Sequence, residues 1–440
     1  MAALPEPALI LSFEDARHLV EEHAAGLRPL GKDLVDLLDS AGLVLAEPVS
    51  ADRNFPPFPR AARDGYAVRA ADLATLPAEL AIVGEIKAGA APETIPEIQR
   101  GQAAAIMTGA AAPAGADAVV MVEYTSRNGD RVEITKGIST GDNIVAPGSG
   151  AKRGERLLTA GMRLNHAGIA VAASVGRRHL LVYRKPQVAV LATGDEVVDV
   201  DTLPGPNQIR NSNSYSLAAQ IREAGAEPVI LPIAPDEPER LRELIADGLE
   251  SDLLLLAGGV SVGKYDFVEQ VLGEFQAEFF FTGALIQPGK PVVFGRVPRG
   301  TAGVSRDSEG VSGADQGAHE TGASAPASFR YFFGLPGNPV STMVTFELFV
   351  RPVIDALTGM APRELHFLHA KLKSEIKTKT GLKRFLPATL SGEFEHAEVE
   401  LTRWHGSGDI AAAARANCYI VIAPDRDRIA AGEWVPVLLR

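Results

Sequence analysis

Ser251-Asp-Leu-Leu-Leu-Leu-Ala-Gly-Gly-Val-Ser-Val-Gly-Lys-Tyr-Asp-Phe267 runs from four consecutive leucines through a Gly-Gly-x-Ser-x-Gly turn to a carboxylate. Leucines without polar alternation suit a strand covered on both faces, as the strands of parallel sheets are. The glycines that follow free the backbone for a turn that passes close to something else. Where such a turn opens a helix, its free N–H groups and the helix dipole favour an anionic or phosphorylated ligand. Taken alone, the residues fit a plain strand-to-helix turn equally well.

Repetition favours the ligand reading. Pro186-Gln-Val-Ala-Val-Leu-Ala-Thr-Gly-Asp-Glu196 is again an apolar run ending in glycine and acids, and Tyr331-Phe-Phe-Gly-Leu-Pro-Gly-Asn-Pro-Val340 leads into a helical pattern from Ser341 to Leu357. Between them, Gln208-Ile-Arg-Asn-Ser-Asn-Ser-Tyr215 precedes the amphipathic run Leu217 to Ala224, which makes Asn213 or Ser214 the expected N-cap. Strand, loop and helix thus alternate from Pro186 to Gly359, the pattern of an open α/β sheet. Such sheets hold their ligand outside the carboxyl ends of the strands.

The chain carries a formal net charge of −12, so a phosphorylated ligand at this edge calls for a cation. Magnesium needs only one or two carboxylates plus ligand oxygens and water. Glu196 and Asp266 are read as its ligands, and Asp195 as an ordinary compensator of a helix dipole.

These motifs resemble the molybdopterin molybdenumtransferase family, which includes MoeA and the E domain of gephyrin. Others that carry the resemblance are Arg63-Asp-Gly-Tyr-Ala-Val68, Ile106-Met-Thr-Gly109, Gly115-Ala-Asp-Ala-Val-Val120, Ser212-Asn-Ser214, Pro288-Gly-Lys-Pro291 and Gly406-Ser-Gly408, so that it covers nearly the whole chain. It implies insertion of molybdenum from molybdate into adenylylated molybdopterin, with magnesium-dependent release of AMP. It also implies a homodimer in which each active site is shared between subunits. A molybdopterin adenylyltransferase and molybdoenzymes are the protein partners it suggests.

On the same resemblance, Asp64, Thr108, Glu196, Asp236 and Asp266 are the expected catalytic residues. Thr193, Gly194, Ser212, Asn213, Gly258, Gly259, Ser261, Lys290, Pro336, Gly337, Asn338 and Pro339 are expected to bind the cofactor substrate. The residues themselves allow plainer roles: an Asx-type turn for Asp64, a strand-end hydroxyl for Thr108, a helix start for Asp236 and a solvated charge for Lys290.

The resemblance is incomplete. Family members usually carry an acid after the Gly-x-Asn-Ile segment, where this chain has Ser149-Gly150, and lysines where it has Gly283 and Gln287. Glu155, Lys152 or Arg153 would have to compensate, unless affinity or activity is altered.

Composition fits a cytoplasmic enzyme. One cysteine, Cys418, leaves no intramolecular disulfide and reads as a buried small hydrophobe. The apolar run Ala8 to Leu11 is too short for a signal peptide, and no run approaches the roughly 20 residues of a membrane span. A pI near 5.3 argues against a nucleic acid partner.

The fold expected is a multidomain α/β plus β chain in four parts. Residues 1–53 with 149–185 form an elongated α+β N-terminal domain, opened by a helix capped at Ser12, with a second helix at Asp33 to Leu38 and another from Asn165 to Val175. Residues 54–148 form a small inserted β domain. Residues 186–361 form the molybdopterin-binding open α/β sheet, with a disordered insertion at 299–328, whose Gly-, Ala- and Ser-rich composition buries too little to offset its ordering entropy. Residues 362–440 form a β-barrel-like C-terminal domain with strands near Leu372 to Ile376, Val399 to Arg403, Cys418 to Ala423 and Trp434 to Leu439. The competing functions are molybdopterin adenylyltransferase, against which the β domains count, and a non-catalytic cofactor carrier or scaffold.

Overall fold

The computed structural model describes residues 9–259, 267–300, 329–360, 363–393 and 396–439. The chain forms two compact units: Met1–Asp33, Gly42–Ala46 and Leu181–Arg440 make one, and Leu34–Ala41 with Glu47–Leu180 make the other.

The first unit opens with α1 (Phe13–Ala25). The Ser12 hydroxyl caps it, accepting the Asp15 N–H at 3.1 Å. The central sheet contains, in chain order, β1 (Gln187–Ala192), β2 (Glu227–Ile230), β3 (Leu253–Ala257), β4 (Glu278–Phe281), β5 (Val293–Pro298) and β6 (Phe329–Leu335), arranged as β2-β1-β3-β6-β5-β4. β2, β1, β3 and β6 are mutually parallel, and β5 is antiparallel to β6 and β4.

All five residues of β3 are buried, as the leucine run requires. Successive side chains of a strand point to opposite faces, and each face has its own core. Val188, Val190, Leu253 and Leu255 pack with Leu217 and Ile221 of α2 (Asn213–Glu223). Ala189, Leu191, Leu254 and Leu256 pack with Leu241 and Leu244 of α3 (Pro238–Leu249) and Leu272 of α4 (Phe267–Glu274). Each buried leucine contributes about 1.5–3 kcal/mol, so the two cores fix the sheet. α1, expected in the N-terminal domain, lays Phe13, Ala16 and Val20 into the first of these cores.

The helical pattern after β6 is borne out as α5 (Pro339–Thr345), a π-helical turn over Phe346–Val350, and α6 (Arg351–Leu357). β5 and β6 are the arms of the expected hairpin, pairing out to Pro298 and Phe329. Residues 301–328, nearly all of the expected insertion, lie outside the described residues.

C-terminally, β7 (Phe367–Leu372), β8 (Lys383–Ser391), β9 (Glu398–Leu401), β10 (Cys418–Ile422) and β11 (Trp434–Leu439) join in the order β8-β9-β7-β11-β10, and β10 pairs back onto β8. That closes the expected barrel. α7 (Ile410–Arg415) lies between β9 and β10 in the chain. Cys418 is buried there, and burial pushes its thiol up to about 11.

The second unit holds a six-stranded sheet in the order Ala118–Met121, Gly65–Val68, Gln102–Ile106, Ala78–Ile86, Arg131–Ile134, Thr125–Asn128. The expected helix near Asn165 is His166–Ser174, capped by the Asn165 side chain. The helix expected at Asp33 to Leu38 is instead the strand Lys32–Asp36. Leu34 and Leu38 are exposed there, so no apolar face rewards a helix, while the Leu37 amide donates to Arg178 O at 2.8 Å.

Candidate active site

Ala192, Ala257 and Leu335 lie in register across β1, β3 and β6, so the loops that follow leave the sheet side by side. Backbone hydrogen bonds stitch them together: Thr193 N–H to Ala257 O (3.2 Å), Gly194 N–H to Ala234 O (3.2 Å) and Gly258 N–H to Leu335 O (3.1 Å). Gly258 and Gly259 have φ of +104° and +65°, and a Cβ on either would fall within 2.8 Å of Thr193 atoms. Glycine is required at both for conformation and for space. At the third loop, the Thr342 hydroxyl reaches the carbonyls of Pro336 (2.5 Å) and Asn338 (3.0 Å), fixing the turn that opens α5.

The loops enclose a cavity of about 540 Å³, within the range of small-molecule sites. Of the expected residues, Thr193, Gly194, Glu196, Ser212, Asn213, Asp236, Gly258, Gly259, Pro336, Gly337, Asn338 and Pro339 all line it. Lys290 lines instead an adjoining cavity of about 330 Å³. Ser261 and Asp266 lie outside the described residues.

Two carboxylates, Glu196 and Asp236, line the cavity, and Asp195 precedes Glu196 in the chain. Burial, then the charges of Asp195 and Glu196, push the Asp236 carboxyl above its usual range. No helix starts at Asp195 itself, but its partner Asp236 stands two residues before the first residue of α3. Asp195 Oδ1 accepts the Asp236 N–H at 3.1 Å and so ties the loop after β2 to the loop after β1. The N-cap expectation for α2 also shifts: the helix begins at Asn213, and the buried Asn211 accepts the Ser214 N–H at 3.1 Å.

Two buried polar atoms on cavity-lining residues have no partner among the described residues: Thr193 Oγ1, on a residue only 5% exposed, and Asn213 Oδ1. The Asn213 amide is already oriented by donating to Gly337 O at 2.7 Å. Buried polar atoms are nearly always satisfied, so these two mark positions where a ligand's polar groups belong. Arg210 also lines the cavity. Nothing in the sequence pattern singled out its cation, although it stands within the polar segment that precedes α2.

Asp64 and Thr108 belong to the second unit. Asp64 Oδ1 accepts both the Thr108 N–H (2.6 Å) and the Thr108 hydroxyl (2.9 Å). These bonds, the backbone one foremost, hold the Asp64 carboxyl below its usual range. In the same unit the Glu155 carboxylate accepts the Lys152 N–H at 2.9 Å, closing a turn. The departure at Gly283 has a packing reason, since a Cβ there would meet Ile10 at 3.1 Å and Lys290 O at 3.3 Å.

The chain is similar to known proteins along nearly its whole length. The pattern of the MoeA N-terminal region (domain I and II) matches residues 11–176, that of a "probable molybdopterin binding domain" residues 189–356, and that of the MoeA C-terminal region (domain IV) residues 369–439. A molybdopterin molybdenumtransferase of Nostoc is 34% identical, covering 92% of this chain and 88% of its own. Molybdopterin molybdenumtransferase 1 of Mycobacterium tuberculosis is 30% identical over 97% of this chain and 98% of its own. The crystal structure of a molybdopterin biosynthesis MoeA protein from Pyrococcus horikoshii superposes with a TM-score of 0.72 at 25% identity, covering 98% of this chain and all of that one.

Proposed function

The chain belongs to the molybdopterin molybdenumtransferase family, and on that premise we propose that its cavity takes adenylylated molybdopterin, inserts molybdenum from molybdate and releases AMP. The enzyme acts in molybdenum cofactor biosynthesis. The observation that carries the detailed reading is the cavity wall itself. It offers two buried polar atoms without partners among the described residues, the amide of Gly259, one guanidinium and the acids Glu196 and Asp236.

Each group has a task. Gly259 and Arg210 meet the phosphate oxygens, the amide as a fixed dipole and the arginine as a charge, while the Gly258 N–H is held by Leu335 O. Thr193 Oγ1 and Asn213 Oδ1 orient the polar edge of the bound substrate. Molybdate, as substrate, activates the water-derived oxyanion that attacks the adenylate phosphorus; the bond from that phosphorus to the molybdopterin phosphate breaks, AMP leaves carrying the new oxygen, and molybdopterin keeps its own phosphate. Asp236 holds a proton more readily than an ordinary aspartate, which suits it to exchange one with the oxyanion.

Carboxylate oxygens are hard ligands that suit magnesium, which needs only one or two of them; among the described residues no group of three could hold a metal. Burial first and then the charges of Asp195 and Glu196 raise Asp236, and a bound cation would relieve the second of these. Glu196 would hold it, with Asp266 or Asp236, and the ion would offset the charge that develops on the phosphate. The dithiolene sulfurs that finally carry molybdenum belong to the substrate, consistent with a single buried cysteine.

The same proposal includes a homodimer, with the Asp64–Thr108 pair serving the partner subunit's cavity, and the four-domain division of the chain. It also includes residence in the cytoplasm and hand-over from an adenylyltransferase to molybdoenzymes. Among the described residues no helix is long and apolar enough to cross a membrane.

The test is AMP release from adenylylated molybdopterin, with and without magnesium and molybdate, in the wild type and in Glu196→Ala and Asp266→Ala. Release that needs both ions and is lost in both variants supports the reading. A wild type that binds the substrate but releases no AMP is a carrier.

A further inference from the structure

One wall of the cavity hangs from a short pair of strands rather than from the central sheet. Val197–Val198 and Ile209–Arg210 pair in parallel, Val197 beside Ile209 and Val198 beside Arg210, and residues 199–208 join them as a loop. Its root is pinned: the Ile209 N–H donates to Glu196 O and the Asn211 N–H to Val198 O, both at 2.8 Å. The loop also holds itself together. The Thr202 N–H donates to Asp199 O (3.0 Å), the Gln208 N–H to Gly205 O (3.1 Å) and the Gly205 N–H to the Gln208 side chain (3.1 Å). A short loop bonded to itself, with its ends together, has the form of an Ω-loop, a kind that is frequently functional.

This loop keeps apolar side chains in water. Leu203 is 85% exposed, and Val200 within the loop and Ile209 at its root are exposed as well. Single exposed apolar residues need no explanation, but three in so short a segment at the rim of a cavity are surface to be covered. The root residues Glu196, Val197, Ile209 and Arg210 all line that cavity. Arg210 belongs to both parts: it lines the cavity, and its Nε donates to Thr202 O inside the loop at 3.1 Å. An arginine bonded through Nε still offers its terminal nitrogens to the oxygens of an anion.

We propose that residues 199–208 are a flap that folds over the cavity when a phosphorylated ligand occupies it, and that Arg210 is the positioning residue that links ligand to flap. This rests on the reading that the cavity takes a phosphorylated substrate. A phosphate draws the guanidinium inward, and the bond to Thr202 O brings the flap with it. Leu203 and Val200 then leave water for the cavity mouth, and bulk water is kept from the reacting phosphate.

Cys418 is the chain's one cysteine, buried and with its thiol raised to about 11, so Leu203→Cys takes a solvent-sensitive fluorophore at a single place. Ile230→Cys, exposed on the edge strand β2, is the control. Magnesium pyrophosphate and adenylylated molybdopterin are each added to the full chain until calorimetry shows saturation. The label at 203 should shift to the blue and lose its quenching by acrylamide, while the label at 230 does neither. With Arg210→Ala in the labelled chain, both changes should be lost at saturation. In the unlabelled chain, Leu203→Ser should raise KM for the adenylylated substrate about 10-fold, the equivalent of ~1.4 kcal/mol of lost burial. A silent label at 203 in a saturated chain, equal changes at 203 and 230, or an unchanged KM overturns the flap. An undiminished response in Arg210→Ala overturns the link. If AMP release persists in those cases, the transferase reading stands. If pyrophosphate shields the label but adenylylated molybdopterin is neither bound nor cleaved, the flap stands and the transferase reading falls. Binding of neither overturns both.

Discussion

Asp236 and Asp64 are both exposed aspartates on loops, and both were expected in the catalytic set, yet their surroundings push them in opposite directions. Partial burial, and then the charges of Asp195 and Glu196, make Asp236 hold its proton more tightly than usual. Asp64 accepts two hydrogen bonds from one threonine and holds its proton less tightly. The first environment sets negative charges against one another. The second is complete by itself, so Asp64 stays an anion of fixed orientation. Identical side chains are thereby specialised, one for binding charge and one for presenting it.

The largest effect should come from neutralising Asp236. Asp236→Asn removes the repulsion together with the ligand oxygen's charge. AMP release should fall about 10²–10³-fold, the usual loss for one well-placed electrostatic group. Stability should move the other way. A carboxyl raised in the folded state binds more protons there than in the unfolded state, so stability declines as pH rises from the usual aspartate range through the raised value. Neutral asparagine escapes that decline, and thermal melts should place the variant above wild type at neutral pH and level with it in acid. A variant that loses activity and stability together would mean that Asp236 is structural.

Gly259→Ala probes the scaffold beneath those acids. Its φ of +65° and a Cβ 2.7 Å from Thr193 Oγ1 and 2.8 Å from Val268 predict a loss of about 1–3 kcal/mol, as for a strained backbone position. Chemical denaturation reads it directly. No loss would imply that the loop relaxes freely and that the row of strand ends does not hold it.

Legibility followed the physics of each element. β3 was readable because a strand buried on both faces leaves an unbroken apolar run, and the loops because glycine is demanded at Gly258 and Gly259. β8 was not, since Pro387 sits in its middle, where proline argues against a central strand. Asp236 was matched by resemblance, but its local context, ahead of Pro238, reads as a helix start. Only the fold shows that Asp195 and Glu196, about forty positions earlier in the sequence, bear on it.

Asp195 offers a smaller and more selective handle. Asp195→Ala deletes the acceptor of the Asp236 N–H and one of the repelling charges, so stability should fall by about 0.5–1.5 kcal/mol, the net worth of one hydrogen bond. Asp195→Asn keeps an acceptor oxygen and loses only the charge. It should hold the loop while bringing the Asp236 carboxyl back toward its usual range. If both variants behave alike, the bond does no positioning.

The smallest expected change tests the other member of the pair. Thr108→Val removes the hydroxyl at 2.9 Å and leaves the N–H at 2.6 Å. The backbone bond is the stronger cause of the depressed Asp64 carboxyl, so titration followed by carboxyl NMR should show its pKa rising only part of the way back. The sign for stability follows: a depressed acid stabilises the fold above the unfolded value and loses that contribution as pH falls through the folded one. In Thr108→Val the loss should begin at a slightly higher pH than in wild type. A complete return of Asp64 to ordinary behaviour would show that the hydroxyl, not the rigid backbone, fixes the anion, and the two aspartates would then differ by one side chain rather than by the architecture of their loops.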